Sequence, residues 1–209
     1  MARNEALFKA VGTGQRKEVE EIIQSELAKG GSPVELLMDS MIPAMRDLGE
    51  RFSRNEVYVP QMLIGARAMQ AGLNILEPLV AAAGHKPLGT ICIGTVKGDL
   101  HDIGKNLVAM MLKGAGFKVI DLGVNVDIPK FEKAVNDGAQ AVLLSALLTT
   151  TMPYMKTVAE HFKARPGVKV IVGGAPVTQS YADEIGAHGY AEDAGASVQI
   201  VEKCLGVAG

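Results

Sequence analysis

The stretch Gly94 to Val108, GTVKGDLHDIGKNLV, sets one histidine, His101, in a turn punctuated by Gly98 and Gly104. An imidazole can ligate a metal or move a proton near neutral pH. A structural histidine more usually sits on the apolar face of a helix or strand. His101 instead falls between an apolar run and a helical pattern, a place where ligands bind in sheet proteins. Two further clusters follow: Ser145, Thr149, Thr150 and Thr151, then Gly173 and Gly174. Glycine lacks a Cβ, so backbone there can approach a ligand closely. Three such clusters point to a large, flat or elongated ligand.

The elements that must position these residues are legible in the spacing of apolar positions. Residues 1–84 read as helix only. A short NEALFKAV piece precedes QRKEVEEIIQSELAKG, which Gly30 and Gly31 close. Ser32 with Glu35 has the capping-box spacing and Pro33 suits a first helical position. From there Val34, Leu37, Met38, Met41, Ile42, Met45, Leu48 and Phe52 form one apolar stripe, predicting a third helix. Pro60 opens a fourth, with Leu63, Ala66, Met69, Leu73 and Leu76 on one face. These make a small bundle. GHKPLG, at 84–89, is the expected boundary. Beyond it the runs TICIGTV, KVIDLGV, AVLLSAL and VKVIVGG alternate with helical stretches starting near Ile103, Ile128, Met152 and Thr178; HGYAE is a weak fifth strand and GASVQIVEKCLG a last helix. The expected fold is α/β: an N-terminal helical bundle (1–88) followed by a flavodoxin-like, Rossmann-like domain with a five-stranded parallel sheet (89–209). In that topology ligands sit outside the carboxyl ends of the strands, between the first and third. All three clusters are expected on that rim.

Composition narrows the function classes. In 209 residues, a net charge of -2 offers no basic field for nucleic acid. The two cysteines, Cys92 and Cys204, have neither disulfide-framework nor zinc spacing, which fits a reducing cytosol. The sequence has no leader pattern and no apolar run of about 18 residues. The expectation is a cytoplasmic protein without membrane or nucleic-acid partners.

Asp99-x-His101-x-x-Gly104, then Ser145-x-Leu147, then Gly173-Gly174 resemble the three-part signature of cobalamin-binding domains that hold the corrinoid base-off, with a protein histidine on cobalt. That signature occurs in methionine synthase, in adenosylcobalamin mutases and in the corrinoid proteins of methylamine, methanol, betaine and aryl-methyl-ether methyltransferase systems. RDLGERFSRNEVYVPQMLIGARAM and VGGAPVTQSYADEIGAHGYAEDA look like the helical cap and tail of the last group, so the resemblance is to methyltransferase-cognate corrinoid proteins over nearly the whole chain. It implies that His101 is the metal ligand and that Asp99 takes a hydrogen bond from its other nitrogen. Thr151 stands where methionine synthase extends this relay with a serine. Ser145, Leu147 and Thr149 would line the slot for the nucleotide tail, with Gly173 and Gly174 against it. Gly98, Asp102, Ile103, Gly104, Ala175, Tyr190 and Met62 complete the expected cofactor contacts. The implied function is methyl carriage. The corrinoid takes a methyl group on Co(I) from a substrate held by one partner methyltransferase and yields it, through a second, to an acceptor such as tetrahydrofolate or coenzyme M. A reductive activating protein is the third implied partner, and the chain is a non-autonomous subunit.

Other readings exist. A cobalamin-binding regulator or storage protein would use the same binding residues, but no helix-turn-helix segment is left over. HDIGK at 101–105 also matches the short signature of HD-type metal phosphohydrolases. Those are all-helical and need further His and Asp ligands, whereas His85, His161 and His188 fall in a linker, a helix and a strand start. The methionines at helical spacing read as plain core, and Cys92 as a small hydrophobe in a strand.

Overall fold

The computed structural model describes residues 3–207. The chain divides into two compact units, one running to Pro87 with Gly114–Gly116, the other made of Leu88–Lys113 and the residues from Phe117 on.

The first unit is helical. Asn4 caps α1 (Glu5–Gly12) by accepting from the Leu7 amide at 3.0 Å. α2 follows (Arg16–Ala28). Ser32 accepts from the Glu35 amide at 3.4 Å and Pro33 opens α3 (Pro33–Glu35), which runs through a π-helical stretch, Leu36–Met41, into α4 (Ile42–Ser53). The continuous helix expected over 34–52 is therefore widened in its middle. Pro43 supplies the reason: it has no N–H to give and its ring crowds the carbonyl four residues back, which a wider turn relieves. The stripe survives, with Leu37, Met41, Ile42, Met45 and Leu48 buried; Val34, Met38 and Phe52 are half-buried. α5 (Val59–Ala82) packs on α2, α4 and α1. Its buried positions include Ala66, Met69, Leu73 and Leu76 as the spacing predicts, but Met62 is buried where Leu63 is only half-buried. Leu63 therefore lies at the margin of the buried stripe.

The second unit alternates strand and helix: β1 (Thr90–Thr95), α6 (Ile103–Gly114), β2 (Lys118–Asp121), α7 (Ile128–Asn136), β3 (Ala141–Ser145), α8 (Pro153–Phe162), β4 (Lys169–Gly173), α9 (Gln179–Glu184), β5 (Gly189–Ala191) and α10 (Ala194–Leu205). The five strands are parallel in the order β2-β1-β3-β4-β5, the flavodoxin-like order. β1, β3 and β4 read as continuous apolar runs because helices cover both faces of the sheet. Cys92, Val142, Leu144, Val170 and Val172 meet Phe131, Val158 and Phe162 in one cluster. Burial pushes the Cys92 thiol up to about 12, leaving it a small hydrophobe.

Strand order reverses between β1 and β3. Register there aligns Thr95 with Ser145, and Ser145 with Gly173. The three polar and glycine clusters therefore begin on one rung of the sheet, at its carboxyl ends. β2 is shorter than KVIDLGV suggests, because after Leu122 donates to the Ile93 carbonyl the chain loops out until Val126 bridges Val96.

Candidate functional site at the carboxyl rim

β1 delivers the chain to a loop, residues 96–102, before α6 begins. Asp99 is fully buried there, while the His101 side chain is 51% exposed. His101 Nδ1 lies 2.7 Å from Asp99 Oδ1, which also accepts from the His101 amide at 3.1 Å. Asp99 Oδ2 accepts from the Leu147 amide (2.8 Å), the Leu148 amide (3.2 Å) and Thr151 Oγ1 (2.8 Å). Burial alone would raise this carboxyl. The donors Leu147 N–H, His101 N–H, the His101 ring and Thr151 outweigh it and hold Asp99 well below the usual carboxylate range.

An ionised carboxylate only accepts, so the imidazole proton facing it sits on Nδ1. Nε2 of the neutral ring then keeps its lone pair, and it has no hydrogen-bond partner among the described residues. Thr151 Oγ1 has one proton and two acceptors, Asp99 Oδ2 and the Leu148 carbonyl, both at 2.8 Å. The three residues thus form a chain from a buried hydroxyl through a buried carboxylate to an exposed ring.

Around them the rim is open. Leu100 and Ile103 are each 71% exposed, Leu147 and Leu148 are exposed, and so are Gly98, Gly104, Thr149 and Ala175. A Cβ on Gly104 would meet nothing within 4 Å. The glycine pair at the end of β4 is tight instead. Gly174 has φ +130, and a Cβ there would lie 1.9 Å from the Ala146 carbonyl oxygen; one on Gly173 would lie 2.9 Å from the Ala191 oxygen. Ser145 is half-buried at the end of β3, and Tyr190 is half-buried on β5 opposite Val172. Asp102 accepts from Asn106 Nδ2 at 3.0 Å. Met62 belongs to the helical unit and is fully buried.

Several residues of this rim are not among the expected site residues. Thr95 is fully buried and its Oγ1 donates to the His101 carbonyl at 2.8 Å. Asn125, at φ 53, accepts from the Gly98 amide at 2.8 Å through Oδ1, and its own amide donates to the Asp99 carbonyl at 3.0 Å. Lys105 is 2% exposed and reaches both Asp121 oxygens and Asn106 Oδ1, each at 2.6 Å. An asparagine in a turn after a strand hints at a left-handed residue. Nothing local marks Lys105 as buried.

The HD-phosphohydrolase reading does not fit this geometry: His101 follows a parallel strand, and Asp102 pairs with Asn106. Among the described residues no group of three or more His, Cys, Asp or Glu side chains is arranged to hold a metal ion. None of their helices is long and apolar enough to cross a membrane.

Comparison with known proteins gives the family. A family described as B12 binding domain matches residues 89–199, and a second of the same description matches residues 3–77. The trimethylamine corrinoid protein of Methanosarcina barkeri is 43% identical over 194 residues, covering 90% of this chain and 89% of its own. A corrinoid protein of Desulfitobacterium hafniense is 38% identical over 213 residues, 99% of both chains. The methanol:cobalamin methyltransferase complex of M. barkeri contains a chain that superposes with a TM-score of 0.85 at 27% identity, over 97% of this chain and 79% of that one. A crystal structure of a cobalamin-binding protein from D. hafniense gives a TM-score of 0.78 at 29% identity, over 95% of this chain and 97% of that one.

Proposed function

The chain belongs to the methyltransferase-cognate corrinoid proteins, whose cofactor is cobalamin, and from that premise we propose that it carries methyl groups between two enzymes with His101 as the lower ligand of cobalt. The observation that carries this reading is the His101 ring itself: exposed, with Nδ1 held by a buried ionised carboxylate and Nε2 left unengaged. That is a donor set suited to one metal–nitrogen bond from the protein, with a carboxylate behind it that fixes the tautomer and raises ligand basicity.

When bound, the corrinoid supplies the cobalt nucleophile and leaving group on which methyl transfer depends. The residues do the rest. Asp99 keeps the proton on His101 Nδ1, and Thr151 Oγ1 can turn its own proton toward Asp99 Oδ2 or toward the Leu148 carbonyl. The protein can thereby strengthen or relax its hold on the ring without moving backbone. The exposed Leu100, Ile103, Leu147 and Leu148 would offer apolar contact to a macrocycle, and Ser145, Thr149, Gly173 and Gly174 would hold its tail. Gly98, Ala175 and Tyr190 are secondary contacts in the same proposal; Met62, fully buried in the helical unit, is not one of them.

The donor is a methylated substrate held by a partner methyltransferase, and the names of the methylamine relatives support a small methylated amine or alcohol. The acceptor is a cofactor such as tetrahydrofolate or coenzyme M, a reductive activating protein restores oxidised cobalt, and the system is cytoplasmic. The test is electron paramagnetic resonance of the Co(II) protein made with nitrogen-15 histidine. The expected result is altered nitrogen splitting that vanishes in His101→Ala while some corrinoid is retained. Splitting that is unchanged by the label removes His101 as ligand.

A further inference from the structure

The loop that carries His101 lacks the usual means of holding a loop still. Lys97, Gly98, Leu100 and His101 are all exposed, Gly98 has φ +87, and Ile103 at the helix start is exposed as well. Apart from Asp99, no side chain from 97 to 103 is buried to anchor it. Asp99 Oδ1 holds the imidazole ring and the His101 amide, but leaves the Gly98 amide and the carbonyls of Asp99 and His101 to other partners. Two polar residues from outside the loop supply what packing does not. Thr95, fully buried at the end of β1, donates its Oγ1 proton to the His101 carbonyl at 2.8 Å. Asn125, from the loop after β2, closes the other side: Oδ1 accepts from the Gly98 amide at 2.8 Å, and its amide donates to the Asp99 carbonyl at 3.0 Å. Asn125 does this at φ 53, a left-handed conformation that asparagine tolerates better than most side-chain-bearing residues.

We propose that Thr95 and Asn125 are positioning residues for the cobalt ligand: two clasps on the backbone of the 98–101 loop that keep Nε2 of His101 aimed outward, and so set the fraction of protein in which histidine is bound to cobalt. The proposal rests on the reading of His101 as that ligand. Clasps and relay hold different atoms: Thr95 and Asn125 bond the His101 carbonyl, the Gly98 amide and the Asp99 carbonyl, whereas the Asp99 carboxylate bonds the His101 ring and amide. Removing a clasp should leave the relay groups intact and misplace the whole residue.

The experiment uses the full-length chain loaded with hydroxocobalamin and reduced to Co(II), in Thr95→Val, which keeps shape and loses the hydroxyl, and in Asn125→Ala. Each should retain cofactor yet show a histidine-bound fraction, read from the nitrogen splitting and the visible spectrum, shifted about fivefold toward the unligated form, the change expected for loss of a neutral hydrogen bond. Thr95→Ser and Asn125→Asp, which restore a hydroxyl and an acceptor oxygen, should recover the wild-type spectrum; a merely structural role would not track those atoms. In parallel, hydrogen–deuterium exchange on the cofactor-free protein should show faster exchange at the Gly98 and His101 amides in the Val and Ala variants. Wild-type spectra and wild-type exchange in both would overturn the proposal. A wild-type protein that itself shows no histidine nitrogen on cobalt would instead defeat the ligand reading, and exchange on the cofactor-free chain would still decide whether the clasps hold the loop.

Discussion

The His101 loop and the Gly173–Gly174 turn share a rim but are made in opposite ways. The loop is assembled by polar groups arriving from elsewhere: Thr95, Asn125, Thr151 and the amides of Leu147 and Leu148 all bond to it. The turn is made by leaving side chains out, since a Cβ on Gly174 would lie 1.9 Å from a backbone oxygen. One side can lose a partner and adjust by degrees, with water replacing a bond. The other cannot, because a backbone oxygen has nowhere to go. A site can thus combine a tunable half and a rigid half.

The largest effect should come from the rigid half. Gly174→Ala places a side chain at φ +130 against the Ala146 oxygen, and a cost on the order of 3 kcal/mol is expected from strain and overpacking. A urea-unfolding midpoint that does not move would show that the turn can yield, and the comparison would break.

Next comes Asp99→Ala. It removes the acceptor for the Leu147 and Leu148 amides and for Thr151, and about 2 kcal/mol of stability should go with them, less than for Gly174 because water can enter from the exposed rim. Adding Thr151→Val to Asp99→Ala should then cost less than Thr151→Val does alone, as residues in one network do not add. Strict additivity in thermal unfolding would mean that Thr151 and Asp99 are not coupled.

Gly104 sharpens the contrast from the side of open space. Its Cβ would touch nothing, so Gly104→Ala should stabilise the cofactor-free chain by about 0.5 kcal/mol through helix propensity, while weakening hydroxocobalamin retention if that space belongs to the ligand. Undiminished retention would remove Gly104 from the binding surface.

The smallest effect is a pH slope behind the rigid half. His188 accepts from the Val170 amide at 3.1 Å through Nδ1, and partial burial together with Lys169 holds its pKa below the ordinary histidine value. The neutral ring is the one that fits. Its contribution is present above the unfolded-state value of about 6.5 and is lost as pH falls through the lower folded-state value. The residue is exposed, so solvent keeps the slope shallow. His188→Asn, which keeps an acceptor without titrating, should flatten thermal stability between about pH 7 and pH 5; identical slopes in the two proteins would rule the histidine out.

The sequence by itself determined the elements and their order. Apolar spacing gave each helix its face, Ser32 with Pro33 marked a start, and strand–helix alternation fixed a parallel sheet, because each of these signals is carried within a single segment. Parallel order and register then put residues 95, 145 and 173 on one rung. What the sequence did not carry was which side chains meet. The π-helical stretch at Leu36–Met41 arises from how one proline fits a helix already committed by its neighbours. Thr151, expected beside Asp99 only through the family resemblance, reaches it across 52 positions; Asn125 reaches Gly98 across 27, and Asp121 pairs with the buried Lys105 from 16 away, with no such signal. Such bonds form only when separate crossovers return the chain to the same edge, and their geometry depends on loop conformations, such as the left-handed Asn125, that local residue types permit without requiring. Tertiary structure alone decided that the histidine would stand exposed on a buried carboxylate, because burial is a property of everything packed around a residue and not of the residue's own stretch of chain.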